Sequence, residues 1–246
     1  MTYFRNTTVN LVVIFAVLGT AISVQAATDD LEREFEVGAG GTLTLTSDSG
    51  AIEVETWDQD RVLVNVRNTD GYTIDFGQSG NDVVVTADSE GSNYFGLINF
   101  SGRSSVGFRV RVPVNYNVEL GTGGGAIEVS DISGSVRADT SGGSIEVGNV
   151  SQGTVRADTS GGRITVGDVD GDVFADTSGG SITIGDVTGN AYADTSGGNI
   201  EIGAVLGDIT ADTSGGNIRV GEAGGEVELD TSGGTIRAAW AEGPIS

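Results

Sequence analysis

The pentapeptide Asp-Thr-Ser-Gly-Gly occurs six times in this chain at a nearly constant spacing. The copies begin at Asp139, Asp158, Asp176, Asp194, Asp212 and Asp230, so only the first step is longer than the others, by a single position. A degenerate seventh copy begins at Gly121, one repeat length before the first. A fixed period this short indicates an architecture of stacked repeats.

Apolar and polar residues alternate within each repeat, as in Ile164-Thr-Val166 and Val173-Phe-Ala-Asp-Thr177. A period of two predicts strands. When the repeats are aligned, β-branched residues fall into columns that would fill a narrow interior. The columns are Ile127, Ile145, Ile164, Ile182, Ile200, Ile218 and Ile236; Val129, Val147, Val166, Ile184, Ile202, Val220 and Ala238; Ile132, Val150, Val169, Val187, Val205 and Ala223; and Val136, Val155, Val173, Ala191, Ile209 and Val227.

The predicted fold is therefore all-β, a single-stranded β-solenoid with about 18 residues per coil. A right-handed β-helix is favoured, and a left-handed one stays open because the same coil length also divides into three hexads. The alternation places the Thr of each motif inward and the Asp outward. The Gly pair is predicted to form a corner, because Gly tolerates positive φ and close backbone approach, and each Asp is predicted to cap its own turn.

Three segments are predicted along the chain. Residues 1–26 have the features of a secretory signal peptide, with Arg5, an apolar stretch and a small-residue site at Ala26. Residues 27–120 are predicted to form an irregular β section that caps the solenoid, with a separate β-sandwich as the alternative. Within this section, Ser49-Gly-Ala-Ile-Glu-Val54 is similar to the repeat core and predicts a divergent coil. Residues 121–246 are predicted to form the regular solenoid and its C-terminal cap.

The leader predicts export to the periplasm or the cell exterior, with no transmembrane segment after cleavage; the alternative is an uncleaved membrane anchor. The formal net charge of −23 argues against nucleic acid and anionic membrane surfaces as partners. Because the chain has no His, Cys or Lys, catalytic triads, Cys-His pairs, Schiff-base lysines and His- or thiolate-bound zinc are excluded. The short coils also lack the long insertions that build a catalytic cleft. We therefore expect no enzyme activity and no cofactor.

Two sets of residues are candidate binding sites. Asp168, Asp170 and Asp172 are expected to lie together on one corner and are weak candidates for calcium, which prefers clustered oxygen ligands. Arg137, Arg156, Phe174 and Tyr192 are expected to be outward neighbours on adjacent strands, and we call them the contact strip. Such a strip suits a glycan ring or a protein partner, whereas the plainer interpretation is cross-strand stabilisation of a solvated sheet.

The chain resembles a known family in Ser49-Gly-Ala-Ile-Glu-Val54, Val110-Arg-Val-Pro113, Asn117-Val-Glu-Leu120 and the repeated Asp-Thr-Ser-Gly-Gly-x-Ile-x-Val. These motifs are similar to those of a bacterial putative-adhesin domain family of unknown function, over about residues 33–240. The resemblance implies an exported β-helical protein with a surface or adhesive role and no catalytic residues. The expected function is therefore a repetitive surface for adhesion or envelope interaction. The alternatives are a structural scaffold or polymer of the envelope and, last, a carbohydrate-active β-helix enzyme.

Overall fold

A computed structural model describes residues 30–89 and 106–241, and these ranges contain strands and turns but no helix. No segment in them could therefore cross a membrane as a helix. The predicted leader, residues 1–26, lies outside the described residues. In chain order the strands are β1 (Leu31–Glu36), β2 (Thr42–Ser47), β3 (Ala51–Trp57), β4 (Arg61–Arg67), β5 (Tyr72–Ser79), β6 (Asp82–Ser89), β7 (Gly107–Pro113), β8 (Asn117–Thr122), β9 (Ile127–Val129), β10 (Ile132–Ser133), β11 (Val136–Thr140), β12 (Ile145–Val147), β13 (Val150–Ser151), β14 (Val155–Thr159), β15 (Ile164–Val166), β16 (Val173–Thr177), β17 (Ile182–Ile184), β18 (Ala191–Thr195), β19 (Ile200–Ile202), β20 (Ile209–Thr213), β21 (Ile218–Ala223), β22 (Val227–Thr231) and β23 (Ile236–Ala241).

Two long sheets run through the described part of the molecule. The first, which we call the Ile sheet, has the order β1-β4-β7-β3-β9-β12-β15-β17-β19-β21-β23. The second, the Thr sheet, has the order β22-β20-β18-β16-β14-β11-β8-β2-β6-β5. A short third face links them through the β10–β13 pair and single bridges from Val150 as far as Ala223. Each regular coil therefore contributes one strand to each long sheet.

The predicted columns are the observed register. Ile164 pairs with Ile182, and Ile182 pairs in turn with Ile200. The column that begins at Val136 is aligned in the same way. The inward residues of both sheets form one hydrophobic cluster, in which Ile182 is fully buried. Parallel stacking of equivalent short strands over about seven turns confirms the β-solenoid. At about 4.8 Å per coil, the regular part is about 34 Å long.

The irregular section shares both long sheets with the regular coils. In β3, Ile52 and Val54 pair in parallel with Ile127 and Val129 of β9, so the segment predicted to be a divergent coil occupies that position. Strands β6 and β7 add a further coil outside β2 and β3. Antiparallel strands then complete this end of the stack: β4 and β1 on the Ile sheet, and β5 on the Thr sheet.

The Asp-Thr-Ser-Gly-Gly corner joins each coil to the one before it. The Thr177 hydroxyl donates to the carbonyl oxygen of Gly162 at 2.9 Å, and it accepts from the Gly180 N–H at 3.3 Å. The same two bonds recur at Thr195. These threonines are buried, as the alternation predicts, and their hydroxyls satisfy backbone groups that would otherwise lack partners.

The two glycines of the motif have different roles. A Cβ at Gly180 would overlap the carbonyl oxygen of Gly162, whereas a Cβ at Gly179 would lie 3.6 Å from the Gly161 oxygen, an ordinary contact. Of the two predicted reasons, positive φ is wrong for this pair, because neither glycine has a positive φ; it occurs instead at Gly134 (143°) and Gly171 (151°), in the turns that precede β11 and β16. The other predicted reason, close approach of backbones, is confirmed for the second glycine of the pair.

This difference predicts unequal effects of one added methyl group. Gly180→Ala should lower the free energy of unfolding by about 1–3 kcal/mol, because the coils must separate to admit the Cβ. Gly179→Ala should leave it unchanged or slightly higher, because its backbone is not in a glycine-only region and the substitution restricts the unfolded chain. Urea denaturation of both variants measures the difference. Equal midpoints would contradict this description of the corner.

Candidate functional site

The outer face of the Thr sheet presents two residues from each strand. In β16, Val173, Ala175 and Thr177 are buried, while Phe174 and Asp176 point outward. Because the strands stack in register, each outward position forms a row at the coil spacing of about 4.8 Å. One row contains the contact strip and the other contains the Asp of every motif.

The contact strip is assembled as the alternation predicts. Arg137 pairs with Arg156, Arg156 with Phe174, and Phe174 with Tyr192 along successive parallel strands. The row continues into Thr210 and then Glu228.

The two aromatic rings of the strip are neighbours and partly open to water. Phe174 and Tyr192 are each 39% exposed, their ring centroids lie 6.5 Å apart, and the ring planes are inclined by 36°. No other two exposed large hydrophobic residues in the described ranges occupy directly paired positions on adjacent strands. The rings border a shallow depression of about 270 Å³, whose lining also includes Arg156, Asp158 and Asp176. This surface offers apolar contact flanked by charge.

Arg156 is bound within its own strand. Its Nε lies 3.0 Å from Asp158 Oδ2 in an ion pair, and the two side chains are 48% and 26% exposed. An ion pair this open to solvent contributes little to stability, but it offsets the guanidinium charge at one end of the depression.

The motif aspartates form a continuous row beside the strip. Asp139, Asp158, Asp176, Asp194, Asp212 and Asp230 are paired in register. The prediction that each Asp caps its own turn is wrong, since in the described motifs the Thr hydroxyl binds the turn N–H. The carboxylates are therefore left on the outer face, where like charges stand opposite one another.

The charge row alters titration nearby. Desolvation by its neighbours, together with the charges of Asp194 and Asp230, raises the pKa of Asp212 above its ordinary value. The pKa of Tyr192 is raised by burial first, and then by Asp194 and Asp176. Both shifts have the direction expected of a surface with negative potential.

The calcium candidates are not gathered into one group. Asp168 Oδ1 accepts the N–H of Asp186 in the next coil, whereas Asp172 Oδ1 accepts the N–H of Asn190, so these two belong to separate corner ladders. Asp170 Oδ1 accepts from the Thr188 hydroxyl. In the described part of the chain, no three acidic side chains are close enough to share a metal ion. The positions of these oxygens suit coil-to-coil hydrogen bonding.

Sequence reasoning missed the cross-coil ladders and the part that the Asp row plays in the strip's surroundings. One ladder runs through Asp131, Asn149, Asp168 and Asp186, each Oδ1 accepting a backbone N–H of the following coil. The sequence signal for this ladder was an Asp or Asn that recurs once per coil at the same repeat position. The Asp row could have been assigned to the strip's face, because residues two apart in a strand share a side.

Removal of one charge from the row should stabilise the protein. The raised pKa of Asp212 means that its ionised form is disfavoured in the folded state, so its contribution to stability falls as the pH rises through the folded-state pKa. Asp212→Asn should therefore raise the free energy of unfolding at pH 7, by up to about 0.5 kcal/mol at this exposed site. The gain should vanish near pH 3, where the wild-type carboxyl is protonated. Denaturant unfolding at both pH values measures it.

Asp158→Asn serves as the control, since Asp158 already has Arg156 as a partner. It should give no gain at pH 7. A stabilisation by Asp158→Asn as large as that by Asp212→Asn would contradict the assignment of the effect to unpaired like charges.

The chain was compared with curated proteins and with solved structures. No curated protein matches the sequence. A putative adhesin from Bacteroides fragilis is 12% identical, with a TM-score of 0.38 over 91% of this chain and 100% of that one. A putative adhesin from Parabacteroides distasonis is 13% identical, with a TM-score of 0.44 over 89% and 96%. A putative lipid binding protein from the same species is 17% identical, with a TM-score of 0.41 over 88% and 95%.

The resemblance found in the sequence motifs is confirmed by a family model. The model described as Toastrack DUF4097 matches residues 19–243, which include every repeat and both described sections. The chain therefore belongs to the Toastrack DUF4097 family.

Proposed function

We propose that this chain is an exported, non-enzymatic β-solenoid that binds a cell-surface glycan or an envelope protein through the contact strip. The supporting observation is the pair of neighbouring exposed rings, Phe174 and Tyr192, on a regular parallel sheet. Exposed aromatic rings on a rigid surface are typical of binding sites, because they supply large contact area at small entropic cost.

Repetition strengthens such a surface. Each coil presents two outward residues from the Thr sheet at a fixed spacing, so a polymeric or clustered ligand meets several contacts at once. Individually weak contacts then combine through high effective concentration. This mode of binding needs a rigid rod and no deep pocket.

The residue inventory favours binding over catalysis. The chain has no His, Cys or Lys, so acid–base and nucleophilic chemistry would fall to carboxylates and Arg. Carboxylate catalysis of glycoside cleavage needs two groups facing each other across the substrate. On the Thr sheet the motif carboxylates stand in a single row, one per coil.

The proposed export is supported by the composition. Residues 1–26 have the sequence features of a secretory leader, and a net charge of −23 suits a soluble rod outside the cytoplasm. Periplasm and cell exterior are both compatible with this composition.

A binding experiment with two strip substitutions tests the proposal. Arg156→Ala together with Tyr192→Ala should abolish most retention of the purified chain on a bacterial envelope preparation. The unfolding free energy should stay within about 0.5 kcal/mol of wild type, as is usual for surface changes. Pull-down followed by quantitative blotting measures retention.

Thr183→Ala is the matched control, because Thr183 is an outward residue of the Ile sheet at the same level of the rod. It should leave retention unchanged. If the double variant is retained as well as wild type, the strip is not the binding surface.

A further inference from the structure

The charge of the outer surface beside the exposed rings changes along the rod. From β16 to β22 the outward positions of the Thr sheet are Phe174, Asp176, Tyr192, Asp194, Thr210, Asp212, Glu228 and Asp230, which we call the acidic–aromatic face. It contains five carboxylates and no basic residue. The two coils before it contribute Arg137 and Arg156 at the equivalent positions. The ring pair is thus bordered by negative charge toward the C-terminal end.

The cation nearest the rings does not neutralise this face. Arg156 Nε is 3.0 Å from Asp158 Oδ2, so its charge is already matched within its own strand. Asp176, Asp212 and Asp230 are exposed, and like charges directly opposite each other on a sheet repel. The raised pKa values of Asp212 and Tyr192 are consistent with that repulsion. A ligand with positive charges would relieve it.

We propose that the acidic–aromatic face docks a basic polypeptide segment. Arginine or lysine side chains of the partner contact the Asp row, and one of its cations lies over the Phe174–Tyr192 ring pair. A cation over an aromatic ring is attracted by the ring's electrons, and guanidinium groups favour this arrangement. The proposal rests on the proposed function and narrows it, because it selects a polypeptide of opposite charge as the envelope partner.

Charge complementarity selects this occupant over the others. A second copy of the chain has a net charge of −23 and would be repelled. A neutral glycan stacks on rings and accepts or donates hydrogen bonds, but it leaves the row of carboxylates uncompensated. The salt dependence of binding distinguishes a basic segment from a neutral glycan, because only the basic segment binds through charge.

The test uses a fluorescent decapeptide of alternating arginine and serine as the probe. Fluorescence anisotropy with the purified chain measures its affinity, and a glutamate–serine decapeptide and a neutral N-acetylglucosamine hexamer are the comparison ligands. Raising the salt from 10 to 150 mM shortens the Debye length from about 30 to about 8 Å. The arginine peptide should bind about tenfold more weakly at the higher salt, and the glutamate peptide should not bind at either.

Two triple variants remove the same charge from opposite faces. Asp176→Asn, Asp194→Asn and Asp212→Asn together should weaken binding of the arginine peptide about tenfold at 10 mM salt. The control variant on the Ile sheet carries Gln at Glu128, Glu146 and Glu201, which are exposed outward residues there. It changes the net charge equally and should alter the affinity less than threefold. Equal losses from the two variants would overturn the proposal, since they would indicate a general charge effect.

A third variant tests the rings. Phe174→Thr with Tyr192→Thr uses the residue that the same row carries at Thr210, so the strand chemistry is retained. It should weaken peptide binding about fivefold, in line with the modest energy of cation–ring contacts. An unchanged affinity would overturn the docking geometry.

The glycan arm separates this proposal from the proposed function. If the arginine peptide does not bind while the hexamer does, and envelope retention still depends on Arg156 and Tyr192, the basic partner is rejected and the strip remains a binding surface. If neither ligand binds and retention does not depend on the strip, both proposals fail.

Discussion

At each Asp-Thr-Ser-Gly-Gly corner, a coil of this protein packs tightly on one backbone carbonyl of the previous coil. In the motif that begins at Asp176, the oxygen of Gly162 accepts the Thr177 hydroxyl and abuts Gly180 so closely that no Cβ fits between. Thr177 also binds the N–H of Gly180, so the turn and the coil contact are fixed by the same hydroxyl. One Thr and one Gly per repeat therefore fix how successive coils meet at this corner.

This register has consequences on both sides of the sheet. Inside, it aligns Ile with Ile and Val with Val, and the stacked β-branched residues fill the core. Outside, the same alignment brings equivalent repeat positions into rows, so the six motif aspartates stand side by side. The repulsion within that row is modest because water screens the carboxylates. The row makes the surface beside Phe174 and Tyr192 negative. Core order and surface charge thus arise from one constraint.

Much of the solenoid could be predicted from the sequence because its contacts repeat with the chain. The apolar columns, the inward Thr residues and the order Arg137, Arg156, Phe174, Tyr192 all follow from the period and from strand alternation. The conformation of the Gly pair could not be predicted from the sequence. A close contact between coils and a positive φ both favour glycine, so the residue type alone does not distinguish them.

Less could be predicted where the contacts do not repeat. The coil formed by β2 and β3 lies between β6–β7 and β8–β9, an order set by pairing between distant segments rather than by local pattern. The corner ladders were also missed, because Asp and Asn cap turns within one segment as readily as they bind the next coil. From the sequence, Asp168 and Asp172 could each cap a turn, bind a metal or accept a hydrogen bond from the next coil. In the structure both accept a backbone N–H of the next coil.

A distance along the outer row tests the stacking most directly. The chain has no native cysteine, so spin labels can be attached at Arg137→Cys and Glu228→Cys alone. These positions are separated by five coil steps in the observed register. Pulsed electron–electron double resonance measures the distance between the two labels. The distance distribution should be narrow and centred near about 24 Å, since each coil step is about 4.8 Å. A broad distribution, or one centred beyond about 35 Å, would contradict the register on which the core, the Asp row and the contact strip all depend.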